Sequence, residues 1–142
     1  MIITTAQTVD QKLIEAMQCL IPQLTELGEP ISFDSLSSLV NDQESELILA
    51  INEENKIVGS LALVVFTIPT GKKAFIEDVI VDHSARGLGI GEKLIQKAID
   101  LSKEKQVRRI ELSSRPIRIP ANKLYQKMGF KVRDTNFYRL EL

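Results

Sequence analysis

Arg86-Gly87-Leu88-Gly89-Ile90-Gly91 stands between a strand-like run, Phe75 to Val81, and a helical stripe that opens at Ile90. Three glycines in six residues permit a tight turn and let the backbone approach a ligand closely. The first amides of the following helix point at whatever occupies the turn, and the helix dipole favours an anion there. The loop is suited to phosphate. It is not a Walker A loop, because Glu92-Lys93-Leu94 stands where Gly-Lys-Ser/Thr would. Nor is it a dinucleotide fingerprint, which needs glycine at the position of Glu92.

On the C-terminal side of the loop, Ile90, Leu94, Ile95, Ala98, Ile99 and Leu101 recur at helical spacing to about Lys103. Arg109 to Ser113 reads as a strand, and Ala121 to Met128 as a helix closed by Gly129 at C′. Lys131–Arg133 and Phe137–Leu142 read as a final hairpin around Asp134-Thr135-Asn136. On the N-terminal side, strict alternation in the strand would put Phe75, Glu77, Val79 and Val81 on one face and Ile76, Asp78 and Ile80 on the other. Glu46–Asn52 and Lys56–Ile68 form two strands around the turn Asn52–Asn55. Ile2–Ala6 opens the chain as a strand. A helix from Val9 to Leu27 is kinked or divided at Pro22. A short helix, Phe33–Asn41, carries Asp34 or Ser35 as cap and turns Phe33, Leu36, Leu39 and Val40 inward. The order is β-α-α-β-β-β-α-β-α-β-β, a mixed α/β (α+β) sheet with helices on its faces.

At 142 residues, with 44% apolar and 26% charged residues, the chain suits one domain, 1–142, with a core that needs no staples. One cysteine, Cys19, and one histidine, His83, exclude a disulfide framework and a Cys- or His-based metal site. The start has no signal-like segment, and the longest apolar run, Leu61 to Phe66, is too short for a bilayer, so a cytoplasmic location is expected. No aromatic-basic platform supports nucleic-acid binding. Charge is divided unevenly. Residues 1–71 hold two basic residues against ten acids, and residues 72–142 hold sixteen against nine. Either the halves bind ligands of opposite charge or they neutralise each other across the fold.

The glycine loop after a strand, the later Tyr125-Gln126-Lys127-Met128-Gly129-Phe130, and Asn55-Lys56-Ile57-Val58-Gly59 together resemble the GNAT superfamily of acetyl-CoA-dependent N-acetyltransferases. The resemblance covers nearly the whole chain. It implies a central mixed sheet whose middle strands, Phe75–Val81 and Arg109–Ser113, splay apart around the pantetheine arm of acetyl-CoA. It further implies that Val79-Ile80-Val81 holds that arm, with the Val79 N–H facing the thioester oxygen. By the same resemblance Arg86, Gly87, Leu88, Gly89, Gly91 and Glu92 bind the pyrophosphate, and Asn122 contacts the CoA arm. Many relatives carry Asn where Arg118 stands. With Arg115 and Lys123, Arg118 suits either the 3′-phosphate or a phosphorylated substrate.

Transfer to an amine needs oxyanion stabilisation and a proton for the departing thiolate. Tyr125 is the candidate acid, or else a core tyrosine beside Leu124 and Met128. Glu77 is the candidate base, an acid in an apolar strand whose burial would raise its pKa, or else a partner for a basic residue. Ile76-Glu77-Asp78-Val79 is most similar to the glucosamine-6-phosphate branch. His83 reads as an exposed loop side chain, and Cys19 as a small core residue. The expected activity is acetyl transfer to a primary amine of a small molecule or peptide, without a metal. A non-catalytic acyl-CoA-binding module is the alternative. Relatives often form dimers, which leaves a homodimer as one option; the sequence leaves the oligomeric state open.

Overall fold

The computed structural model describes residues 1–142. Five strands form one sheet in the order β1 (Ile2–Thr5), β2 (Ser45–Ile51), β3 (Ile57–Ile68), β4 (Gly71–Val81) and β5 (Ile110–Leu112). The first four are antiparallel neighbours, and β5 runs parallel to β4. Helices α1 (Gln11–Leu20) and α2 (Phe33–Val40) cover one face, where Leu13, Met17, Leu20 and Leu36 meet Leu47, Leu49 and Ile80. Helix α3 (Ile90–Glu104) and helix α4 (Ile119–Lys127) serve the other face. There Leu94, Ile95 and Tyr125 join a core built on Ile48, Leu61, Leu63 and Ile76. No helix is long and apolar enough to cross a membrane.

Strand β4 departs from strict alternation. Ile80 faces Ser60 and Glu77 faces Ala62, so Asp78 and Val79 together oppose Leu61, a β-bulge, with Asp78 at φ 51°. The extra residue reverses the faces. Ala74 and Ile76 pack with α3 before the bulge, and Val79 and Val81 pack with α3 after it. Glu77 therefore does not share a face with Val79 and Val81, as alternation alone would have it.

Several local expectations change for identifiable reasons. Pro22 divides the first helical run, as its missing donor requires, leaving α1 and a single 3-10 turn at Ile21–Gln23. Cys19 is exposed, because the buried stripe of α1 runs through Leu13, Met17 and Leu20. The cap of α2 is Ser32, whose hydroxyl accepts from Ser35 N–H at 3.1 Å while the Ser35 hydroxyl accepts from Ser32 N–H at 3.0 Å. Ser35 is thus the third residue of a capping box, and Phe33 at the first turn is exposed. Helix α4 begins two residues early, at Ile119, with Pro120 in its first turn, where proline costs no hydrogen bond. The final hairpin does not form within the chain: residues 131–142 contain no strand and are exposed throughout. An isolated hairpin is marginal in water, and these residues pack against no other layer.

Leu94 is fully buried where α3 meets β3, with its Cδ1 near Gly59. Leu94→Ala is expected to cost about 2–5 kcal/mol in urea unfolding, whereas Cys19→Ser is expected to stay within about 0.5 kcal/mol.

Candidate functional site

The site starts from the bulge. Strand β5 pairs with β4 only over Ala74–Ile76, so the β4 edge from Glu77 to Val81 has no strand beside it. Ala74 N–H donates to Arg109 O on the β5 side (3.1 Å), and Asp82 N–H donates to Val58 O on the β3 side (2.8 Å). Amides alternate along a strand, so counting back from Asp82 turns the Val81 and Val79 N–H groups to the open edge. Without the extra residue at the bulge, even-numbered amides would face that way.

That edge and the start of α3 line one cavity of about 530 Å³. The loop before α3 is stiffened by Asp82, whose carboxylate accepts from Ser84 N–H (2.9 Å) and Oγ–H (2.8 Å), which lowers its pKa. Gly89 caps α3 in a left-handed conformation, φ 73°, which glycine adopts without strain. The first bond within the helix is Lys93 N–H to Gly89 O at 3.2 Å, so the Ile90, Gly91 and Glu92 amides have no helical acceptor. Those free donors and the dipole suit an anion, and no protein atom beyond the chain neighbours lies within 4 Å of a Cβ built at Gly89. Arg86 also lines the cavity, with its Nε donating to Val81 O at 3.2 Å. Leu88 does not line it and is exposed.

Tyr125 reaches the same cavity from α4 and is 5% exposed. Its motif has a mechanical meaning. Gly129 lies at φ 97°, Gly129 N–H donates to Gln126 O (3.1 Å), and Phe130 N–H donates to Tyr125 O (3.0 Å). This is a Schellman ending, with Tyr125 and Phe130 as its apolar pair, their rings edge to face at 6.2 Å. The ending locks the tyrosine ring. Burial raises the hydroxyl pKa, opposed by the Arg118 guanidinium beside it, so the group stays protonated near neutral pH.

Asn122 is not part of the cavity wall. Its Nδ2 donates to Arg118 O (2.8 Å) and Arg115 O (3.0 Å), which closes the loop that brings both arginines to the cavity. Glu77 does not line the cavity either, and it is exposed rather than buried. Partial desolvation and the neighbouring Asp78 still raise its carboxyl pKa, while Arg139 lowers it. His83 is exposed, with Nδ1 2.8 Å from Gln23 Oε1. Gln23 and Leu24 belong to the cavity wall and were not singled out by sequence. Pro22 beside them was the available signal, because it ends α1 and starts the turn that carries them over β4. Of six ion pairs, only Lys105–Glu46 joins the acidic and basic halves, so direct pairing does little to neutralise them.

Residues 13–130 match the model of the Acetyltransferase (GNAT) family. A 90-residue stretch, 61% of this chain, is 36% identical to glucosamine 6-phosphate N-acetyltransferase of Trypanosoma brucei brucei and spans 58% of that protein's length. The crystal structure of an acetyltransferase from Trypanosoma brucei superposes with a TM-score of 0.80 at 25% identity, covering 99% of both chains. Glucosamine-6-phosphate N-acetyltransferase from Arabidopsis thaliana, 19% identical over 99% of both chains, shares the fold with a TM-score of 0.81.

Gly129→Ala places a side chain at left-handed φ and is expected to destabilise the protein by about 1–2 kcal/mol. Gly28 has neither a left-handed φ nor a neighbour within 4 Å of an added Cβ. Gly28→Ala in the same urea titration is therefore the matched control, with an expected change within about 0.5 kcal/mol.

Proposed function

Because the chain belongs to the acetyltransferase (GNAT) family, we propose that it moves an acetyl group from acetyl-CoA to a primary amine in a ternary complex. One observation carries this reading: the open β4 edge, the uncapped start of α3 and the Tyr125 ring share a single cavity. In this reading the amides from Gly87 to Glu92, with Arg86, hold the pyrophosphate. The backbone of Val79-Ile80-Val81 holds the pantetheine arm, and Val79 N–H donates to the thioester oxygen. Asn122 acts by fixing Arg115 and Arg118, which suit the remaining phosphate of the co-substrate or a phosphorylated acceptor.

The chemistry follows from these positions. A neutral amine attacks the thioester carbon, and the Val79 N–H stabilises the oxyanion that develops. As the C–N bond is completed, the C–S bond breaks and Tyr125 gives its proton to the leaving thiolate. The amine gives up one proton to Glu77, directly or through water. Glu77 faces away from Val79 and Val81, on the side of the sheet opposite α3, which is where an acceptor would meet a co-substrate held on the α3 side. Its raised pKa makes it a stronger base than an ordinary carboxylate. The acceptor is a small molecule or a peptide, and a thiol-release screen spanning glucosamine 6-phosphate, polyamines, amino acids and peptides separates these classes. The absence of both acetyl-CoA binding by calorimetry and thiol release with any acceptor would sink the reading.

Tyr125→Phe keeps the ring and its contact with Phe130. Turnover is expected to fall about a hundredfold to ten-thousandfold with acetyl-CoA affinity nearly unchanged. Turnover within a few-fold of the parent would leave protonation to water.

The pH profile tests the base. Protonated Glu77 cannot accept the amine proton, so kcat/KM is expected to decline as pH falls through its raised pKa. In Glu77→Gln that limb should vanish and the plateau drop by at least about a hundredfold. A profile unchanged by the substitution would transfer the role to solvent.

A further inference from the structure

A second cavity lies at the other end of β4, and the chemistry proposed above makes no use of it. It measures about 360 Å³ and is lined by Thr70, Gly71, Lys72, Lys73, Arg108 and Arg109, with no hydrophobic and no acidic side chain. Gly71 and Val81 are the two ends of β4, roughly 30 Å apart at a strand's rise per residue. This cavity and the one that holds Tyr125 share no residue.

Local folding rules bring the four cations together. Helix α3 ends in a second Schellman motif, in which Val107 N–H donates to Ser102 O (3.0 Å) and Gln106 N–H to Lys103 O (3.0 Å). Gln106 takes the left-handed position at φ 60°. The chain then runs alongside the start of β4, where Arg108 N–H donates to Lys72 O (2.9 Å) and Ala74 N–H to Arg109 O (3.1 Å). Gly71 leaves room for the Arg108 stem, since a Cβ there would come within 2.9 Å of Arg108 Cδ. One guanidinium nitrogen of Arg108 donates to Thr70 O at 3.1 Å, which fixes the head at the β3–β4 turn. Its other donors stay available.

These charges are not compensated within the chain. Glu111 is the only carboxylate that meets any of the four cations, and Lys73 (3.3 Å) and Arg109 (3.2 Å) share it. Lys72 and Arg108 form no ion pair. Four cations against one acid leave an excess of positive charge in one concavity, where mutual repulsion favours a multivalent anion. Part of the basic excess of residues 72–142 is concentrated here. Arginine offers a planar fork of donors and lysine a point charge, a combination that suits phosphate oxygens. The wall has no aromatic or aliphatic side chain to hold a base or a sugar, so recognition stops at the phosphates.

We propose that this cavity is a second anion site, which binds the diphosphate group of a small ligand independently of the cavity that holds Tyr125. The diphosphate bridges Lys72 and Lys73 on β4 to Arg108 and Arg109 ahead of β5, at the end where the two strands are paired.

The test is a titration of the full chain at low salt, read by backbone amide NMR, with inorganic pyrophosphate, ADP, sulfate and a single-stranded RNA oligonucleotide as probes. The start of α3 also suits phosphate, so the two regions are read separately. Pyrophosphate is expected to shift the amides of Thr70–Lys73 and Arg108–Arg109 with a Kd at or below about 1 mM, and sulfate to bind at least about tenfold more weakly. ADP is expected to match free pyrophosphate, whereas ADP binding more than about tenfold tighter would mean that the nucleoside is read and would overturn recognition by phosphates alone. Lys72→Gln breaks no ion pair, so its spectrum should otherwise stay that of the parent. Its pyrophosphate Kd at this cavity is expected to rise about tenfold or more, with the shifts at Gly87–Glu92 unchanged. Shifts confined to Gly87–Glu92, a Kd above about 1 mM at Thr70–Lys73, or sulfate binding as tightly as pyrophosphate each overturn the proposal. A Lys72→Gln variant that binds like the parent also overturns it. So does RNA binding tighter than pyrophosphate, which would make the patch a nucleic-acid surface.

Discussion

One extra residue in β4 governs the site. A strand has a period of two in both side chains and amides, so inserting Asp78 opposite Leu61 reverses both from that point on. Val79 and Val81 then pack against α3 while their N–H groups face the gap left by short β5. The backbone conformation at Asp78, at φ 51°, is one that aspartate tolerates better than most residues. The α3-side core on either side of the bulge, Ile76 before it and Val79 and Val81 after, holds the strand in this register.

The second constraint is the way α4 ends. Tyr125, Gly129 and Phe130 are separated as a Schellman motif requires, so the spacing that looks like a signature is a local folding rule. Its result is a buried hydroxyl with a raised pKa, aimed at the cavity into which Val79 and Val81 open.

Most of the architecture could be read from the chain because its helices and central strands are strongly periodic. Leu94, Ile95 and Ala98 mark the buried stripe of α3, and Leu61, Leu63 and Val65 the buried row of β3. The glycine loop was legible because the residue types that permit it are few. What escaped depended on tertiary context. The bulge at Asp78 has no glycine to announce it, so alternation misplaced Glu77 relative to Val79. Cys19 was drawn inward by composition although the α1 stripe passes it by. Gln23 and Leu24 reach the cavity only because a 3-10 turn carries them over β4. The strand pattern after Lys131 is real in sequence, but a pattern states what a segment can pair with and not where its partner is.

Two contacts join the start of α3 to α4. Lys127 Nζ meets Glu92 Oε2 at 2.6 Å, and a Cβ at Gly91 would come within 3.0 Å of Leu124 Cδ2. The amides at one end of the cavity and the tyrosine at the other therefore belong to a single brace. The first turn of α3 and the helix carrying Tyr125 are thus held in register by one ion pair and one close packing contact, so the two ends of the cavity keep a fixed relation to each other.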